Sequence, residues 1–199
     1  MTKNKIPIGC YVYPTPVVLV GANVYGKPNF NAIGWVCGHE FAPPLISICS
    51  NHAHHNNIGI KENQTFSINT ASVEMVEITD YCGIKSGKSV DKSEIFDVFY
   101  GELQTAPMIR EACLNLECKL VHTVDTKEIS NTKMGHDIFI GEVVAAYADE
   151  KYLSKGVPDV KKINPLVLST SENRVMYYEM GEEIGRAWSI GLNYEKEND

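Results

Sequence analysis

The chain has 199 residues, 44% of them hydrophobic and 22% charged, with a formal net charge of -7. This is ordinary for a soluble globular chain, and the expectation is a single domain over residues 1–199 with its core at about 14–191. The acidic balance argues against a nucleic-acid surface, and no apolar run approaches the roughly 20 residues of a membrane helix, so neither partner is expected.

Pro7, Pro14 and Pro16 interrupt the N-terminal apolar stretch and no convincing cleavage site follows, so a cytoplasmic location is expected. The six cysteines, at 10, 37, 49, 82, 113 and 118, form no C-x-x-C pair; free thiols are expected, with Cys49 and Cys82 the two in polar surroundings.

In chain order, Val17 to Val20 reads as a short buried strand, and Tyr25-Gly26-Lys27-Pro28 as a turn. Asn29 to Val36 resumes with mixed residues and holds Trp35. Leu45 to Cys49 is a strand by length and β-branched content. It empties into Ser50-Asn51 and a run with three histidines, His52, His54 and His55, followed by Asn56 and Asn57. Asn57 to Asn63 fits a short helix, and Thr65 to Asn69 a second strand. A strand that feeds a helix start through small polar residues suits an anion, because free N–H groups and the helix dipole face it. A solvated polar surface loop fits the same residues.

Ser72 to Tyr81 reads as a helix with Ser72 as N-cap. Cys82 to Lys92 is the one locally basic loop of an acidic chain. Asn115 to Asp125 alternates as a strand, with Val121 and Val124 marking a slip or bulge; its His122 reads as a structural residue. His136 to Ala146 is the next strand, and Gly141 inside it implies a bulge or the close approach of another group. Lys151 to Lys162 reads as a polar loop. Leu166 to Ser169 and Val175 to Tyr178 are short strands around a turn at Thr170 to Arg174, and Glu195 to Asp199 reads as a frayed end. The fold class expected is mainly β, a barrel with short helical insertions.

There is no Walker A loop, Rossmann fingerprint, nucleophile elbow or H-E-x-x-H helix. Three constellations remain. His52-x-His54-His55 suits a transition metal, with His52 and His54 on one strand face, but no carboxylate stands near them in sequence. Ser47-x-Cys49-Ser50 with Asn31 to Trp35 offers small polar groups and an aromatic to a planar heterocycle; ordinary strand-end chemistry explains them too. His136, at a strand start beside Gly135, can face a cavity or cap a turn.

In order, Pro16 to Val20, Gly26 to Asn29, Ile33-Gly34-Trp35, Pro43 to Ser47, Gly59 to Asn63, Thr65 to Asn69, Thr79 to Gly83, Ser86-Gly87-Lys88, Asp91-Lys92, Ala106 to Ile109, Leu116-Glu117-Cys118 and Gly135 to Val143 resemble the flavin reductase-like family, especially its flavoredoxin branch. The resemblance implies an FMN-binding split β-barrel, a homodimer, and a noncovalent FMN through which hydride or electrons pass, with NAD(P)H or a protein as redox partner. It implies that Asn31, Ala32, Ile33, Gly34 and Trp35 lie along the ring, and that Ser47, Cys49 and Ser50 meet the ring and ribityl chain. His54, His55 and Asn56 would cradle the phosphate, Lys92 (or Lys88) would add charge, and His136 would face the nicotinamide. Asn56 stands where the family has serine or threonine. Two other classes stay open: a non-catalytic flavin-binding protein and a metal protein built on the histidines.

Overall fold

The computed structural model describes residues 2–171, 174–192 and 194. The turn expected at 170–174 and the end expected to fray at 195–199 fall wholly or partly outside them.

The elements in order are β1 (Thr15–Pro16), β2 (Val18–Val24), β3 (Lys27–Ile33), β4 (Val36–Phe41), β5 (Pro44–Asn51), α1 (Asn56–Asn63), β6 (Thr65–Thr70) and α2 (Val76–Ile84). They continue with β7 (Val98–Phe99), β8 (Met108–Ile109), β9 (Leu114–Asp125), α3 (Thr126–Ile129), β10 (His136–Ala148), β11 (Leu153–Ser154), β12 (Val157–Pro158), α4 (Val160–Ile163), β13 (Val167–Ser171) and β14 (Arg174–Tyr178). The mainly-β reading holds. The expected helix at 72–81 is a short 3-10 turn, Val73–Met75, running into α2, and Ser72 makes no side-chain cap bond. The region read as a polar loop at 151–162 contains the β11–β12 pair and α4.

Seven strands form one antiparallel sheet in the order β3-β2-β6-β9-β10-β5-β4. Its two edge strands, β3 and β4, are consecutive in the chain, joined by Gly34-Trp35. The sheet curls so that β3 comes close to β5, and the Cys49 N–H donates to the Trp35 carbonyl at 2.9 Å, carrying the β4–β5 ladder one step into the link. Val18, Val20, Ile48, Phe66 and Phe139 fill the barrel interior, with Ile60 of α1 closing one end. β2 is buried on both faces, since its Leu19 packs outward together with Phe30 of β3, Cys82 of α2 and Phe96.

The β9–β10 register slips where Ile140 faces His122 and Gly141 faces Leu120, so Val121 is the extra, exposed residue of a bulge. Gly141 faces the Phe66 ring so closely that an added Cβ would lie 2.7 Å from it. A larger residue there would displace the barrel's central aromatic.

Candidate functional site

An open cavity of about 250 Å³ lies where β3 comes close to β5. One wall is the end of β3 and the link beyond it, Ala32 to Trp35; the other is Cys49, Asn51 and His136. Thr15 and Leu168, register partners in the β1–β13 pair, close its rim. Trp35 is half exposed, and its ring centroid lies 5.3 Å from that of His136. The lining is mostly apolar, which fits an uncharged ring better than a charged group.

His54 stands at the inner end of this cavity and also lines a neighbouring one with Lys61 and Lys88. Its Nδ1 lies 3.0 Å from Ser50 Oγ and 3.2 Å from Asn31 Nδ2. Ser50 donates to Asn57 Oδ1 at 2.6 Å, and Asn57 Nδ2 donates to Asp137 Oδ2 at 3.2 Å. One ring nitrogen is thus held by buried partners, which leaves Nε2 for a ligand. Burial, then His136 and Lys92, hold the His54 imidazole below its ordinary pKa.

Beyond His54 the lining turns cationic. A cavity of about 450 Å³ is bordered by His55, Lys27, Gly87, Lys88 and Lys92. Lys27 pairs with Asp91 at 3.5 Å, whereas no carboxylate pairs with Lys88 or Lys92 among the described residues. Lys92 is almost completely buried; its Nζ donates to the Phe30 and Cys82 carbonyls at 2.8 Å each, and burial lowers its pKa. His55 is also held below its ordinary value, by burial and then by Lys88 and Lys92. Groups of one sign that depress each other's protonation are arranged for an anion that relieves them.

The fold thus brings Ala32, Ile33, Gly34, Trp35, Cys49, His54 and His136 to one cavity, with Asn31 and Ser50 bonded to His54 behind it. His55 and Lys92 border the adjoining cationic cavity. Two expected residues face elsewhere. Ser47 Oγ is 2.6 Å from His39 Nε2. Asn56 is buried, its amide donating to the Val20 carbonyl at 2.7 Å and its oxygen accepting from Asn29, so its side chain is engaged at both ends. His52 and His54 do not share a strand face, because β5 ends at Asn51 and the chain turns between them. Burial, and then Asp137, raise the Cys49 thiol pKa, so it stays protonated at neutral pH. His122 is exposed.

Sequence reading passes over Asn57 and Asp137 without giving either a role, and misses Thr15 and Leu168. Asp137 follows a residue already singled out, and Asn57 stands next to another, so proximity in sequence offered a signal for both. Thr15 and Leu168 arrive through pairing of strands 153 positions apart in register, for which no local signal exists.

The model of the flavin reductase like domain matches residues 9–174 of the chain. Among solved structures, the chain is similar to a flavoredoxin from Methanosarcina acetivorans, at 44% identity and a TM-score of 0.88 over 96% of this chain and 98% of that one. It is also similar to the flavoredoxin of Desulfovibrio vulgaris (Miyazaki F), at 30% identity and a TM-score of 0.84 over 96% and 100%. A curated relative, an FMN reductase (NADH) of Acinetobacter baylyi, is 26% identical over 133 residues, 64% of this chain and 63% of that protein.

Proposed function

The chain belongs to the flavin reductase-like family, and from that premise we propose that it is an oxidoreductase that binds FMN noncovalently and passes hydride or electrons through it. The observation that carries this reading is the order of three neighbouring cavities. The mostly apolar one at Ala32–Trp35 shares His54 with a second, and the second shares Lys88 with the one bordered by His55 and Lys92. FMN has the same sequence of parts, a planar heterocycle at one end and a phosphate at the other. The residues present therefore fit the group.

In this reading Ala32, Ile33, Gly34 and Trp35 hold the ring edge, with Cys49 as a neutral neighbour. His54, through Nε2, His55 and Lys88 hold the phosphate by charge-assisted hydrogen bonds, and Lys92, its Nζ committed to two carbonyls, adds positive charge behind them. The flavin, when bound, supplies the two-electron chemistry, and the protein orients it and tunes its surroundings. His136, stacked obliquely on Trp35 in the apolar cavity, positions the redox partner. NADH is the donor we favour, because an NADH-dependent FMN reductase is among the relatives.

The test is anaerobic addition of NADH, then NADPH, to the yellow holoprotein. Bleaching near ~450 nm with either is expected; a flavin that stays oxidised with both argues for the non-catalytic reading. We further propose a homodimer. Phe41 is 96% exposed, Ile184 93% and Trp188 99%, a set of apolar side chains that a second copy would cover. Light scattering should give about twice the 22.1 kDa chain mass; the monomer mass would refute it.

A further inference from the structure

We propose that His52, Asp125 and Asp137 form a binding site for one divalent transition-metal ion. It borders the phosphate site just proposed, with His54 and Lys88 on the same cavity, but does not depend on that reading. The three come from different segments: the turn after β5, the last residue of β9, and the second residue of β10. In sequence the histidine run has no carboxylate neighbour; the β5–β10–β9 pairing supplies two.

His52 Nε2 lies 3.1 Å from Asp125 Oδ1 and 3.5 Å from Asp137 Oδ1, and the three ligand atoms all fall within 4.8 Å of one another. Ligands about 2.1 Å from one ion at tetrahedral or right angles stand about 3.0–3.5 Å apart. A second observation points the same way. His52 Nε2 is buried, yet it forms no hydrogen bond to either carboxylate despite that proximity. Its spacing is set but its hydrogen-bond geometry is not, as expected of a nitrogen aimed at a point between the carboxylates rather than at one of them.

Each ligand is also held from behind. Gly135, at φ +75°, packs on the imidazole, where a Cβ would meet Nδ1 at 2.6 Å. Asp125 Oδ1 accepts from Lys127 N–H at 2.8 Å. Asp137 Oδ2 takes Lys61 Nζ at 2.7 Å and Asn57 Nδ2 at 3.2 Å, which leaves Oδ1 free. Such outer partners are what orient ligands in metal sites. One imidazole and two carboxylates favour a borderline ion of the Mn²⁺, Fe²⁺ or Zn²⁺ kind over the all-oxygen cages of Ca²⁺. Lys61 opposes the ion electrostatically, and Lys88 lines the same cavity. We therefore expect moderate rather than tight affinity.

The probe is Mn²⁺ added to untagged, chelator-treated, FMN-loaded full-length protein, followed by electron paramagnetic resonance and calorimetry. The expected result is one ion per chain. Asp125→Asn and His52→Gln should each weaken binding by at least about 30-fold while leaving the flavin spectrum and circular dichroism unchanged. Lys61→Met should tighten it. Absence of stoichiometric binding, or equal binding in the His52→Gln/Asp125→Asn double variant, overturns the site and leaves a structural His–Asp contact.

Discussion

Glu117, fully buried, accepts hydrogen bonds from the backbone N–H groups of Gly101, Glu102 and Leu103 and from Tyr147 Oη, at 2.8 to 3.2 Å. Nearby, Asn69 takes the Ile109 N–H at 2.9 Å and the Asn115 amide at 2.8 Å, and donates to the Leu19 carbonyl at 2.8 Å. Around His54 and His55 the arrangement is the reverse. Basic groups face other basic groups, and burial first, then His136, Lys92 and Lys88, hold both imidazoles below their ordinary pKa. Both are polar clusters within one barrel. The first closes on itself, so its chemistry ends in stability. The second is completed only from outside, so its chemistry points to a ligand.

The largest effect that tests this contrast is Glu117→Ala. It strands three backbone N–H groups and a tyrosine hydroxyl, so stability should fall by on the order of 3–5 kcal/mol. Thermal unfolding should report a drop of about 10 °C, while FMN stoichiometry at low temperature is retained. If FMN affinity fell while the unfolding temperature held, the two clusters would not be separable in this way.

His54→Ala should do the opposite. Loss of a charge-assisted bond to phosphate weakens FMN binding by about 10–100-fold, with riboflavin, which lacks the phosphate, affected by less than about threefold. Equal losses for the two flavins would remove the phosphate assignment. The pH dependence carries the same signature. His54 in the ligand-free fold has its pKa below the 6.5 of an unperturbed imidazole. The unfolded chain therefore binds more protons there, and ligand-free stability is lost as pH falls through 6.5. A phosphate dianion favours the protonated ring, so its binding takes up a proton. FMN affinity should rise from about pH 8 to about pH 6, below which the phosphate itself protonates. Titration at several pH values should show that slope flattened in His54→Ala.

Much of the barrel is legible because side-chain alternation reports local burial. The break at Val121 is visible as two apolar residues out of phase in an alternating strand, and it is the bulge. Gly141 is legible for a related reason: a strand interior without a side chain implies a near neighbour, here Phe66. Residue types alone offer Ala32 to Trp35 and His54 as candidates among other readings, since polar strand ends have no period, and the ordered resemblance is what singles them out. Alternation says which face is buried, not which strand lies beside it. Hence the rim residues Thr15 and Leu168, and the carboxylates that meet His52, are invisible before folding. Lys92 misleads in a different way. A lysine in a glycine-containing basic loop reads as solvated, yet two backbone carbonyls draw its ammonium inside.

The smallest expected change in binding concerns Asn56, which the resemblance singles out because serine or threonine is usual there. In the fold its amide joins one helix and two strands: α1, which it begins, is tied to β2 through Val20 and to β3 through Asn29. A serine cannot span both contacts, because its single hydroxyl is one bond shorter and offers one donor. Asn56→Ser should therefore cost on the order of 1–2 kcal/mol of stability, read by denaturant unfolding, and shift FMN affinity by less than about threefold. A gain in FMN affinity of tenfold or more would mean that the side chain of this position reaches the phosphate, and would move Asn56 from the self-closed kind of cluster to the ligand-completed kind.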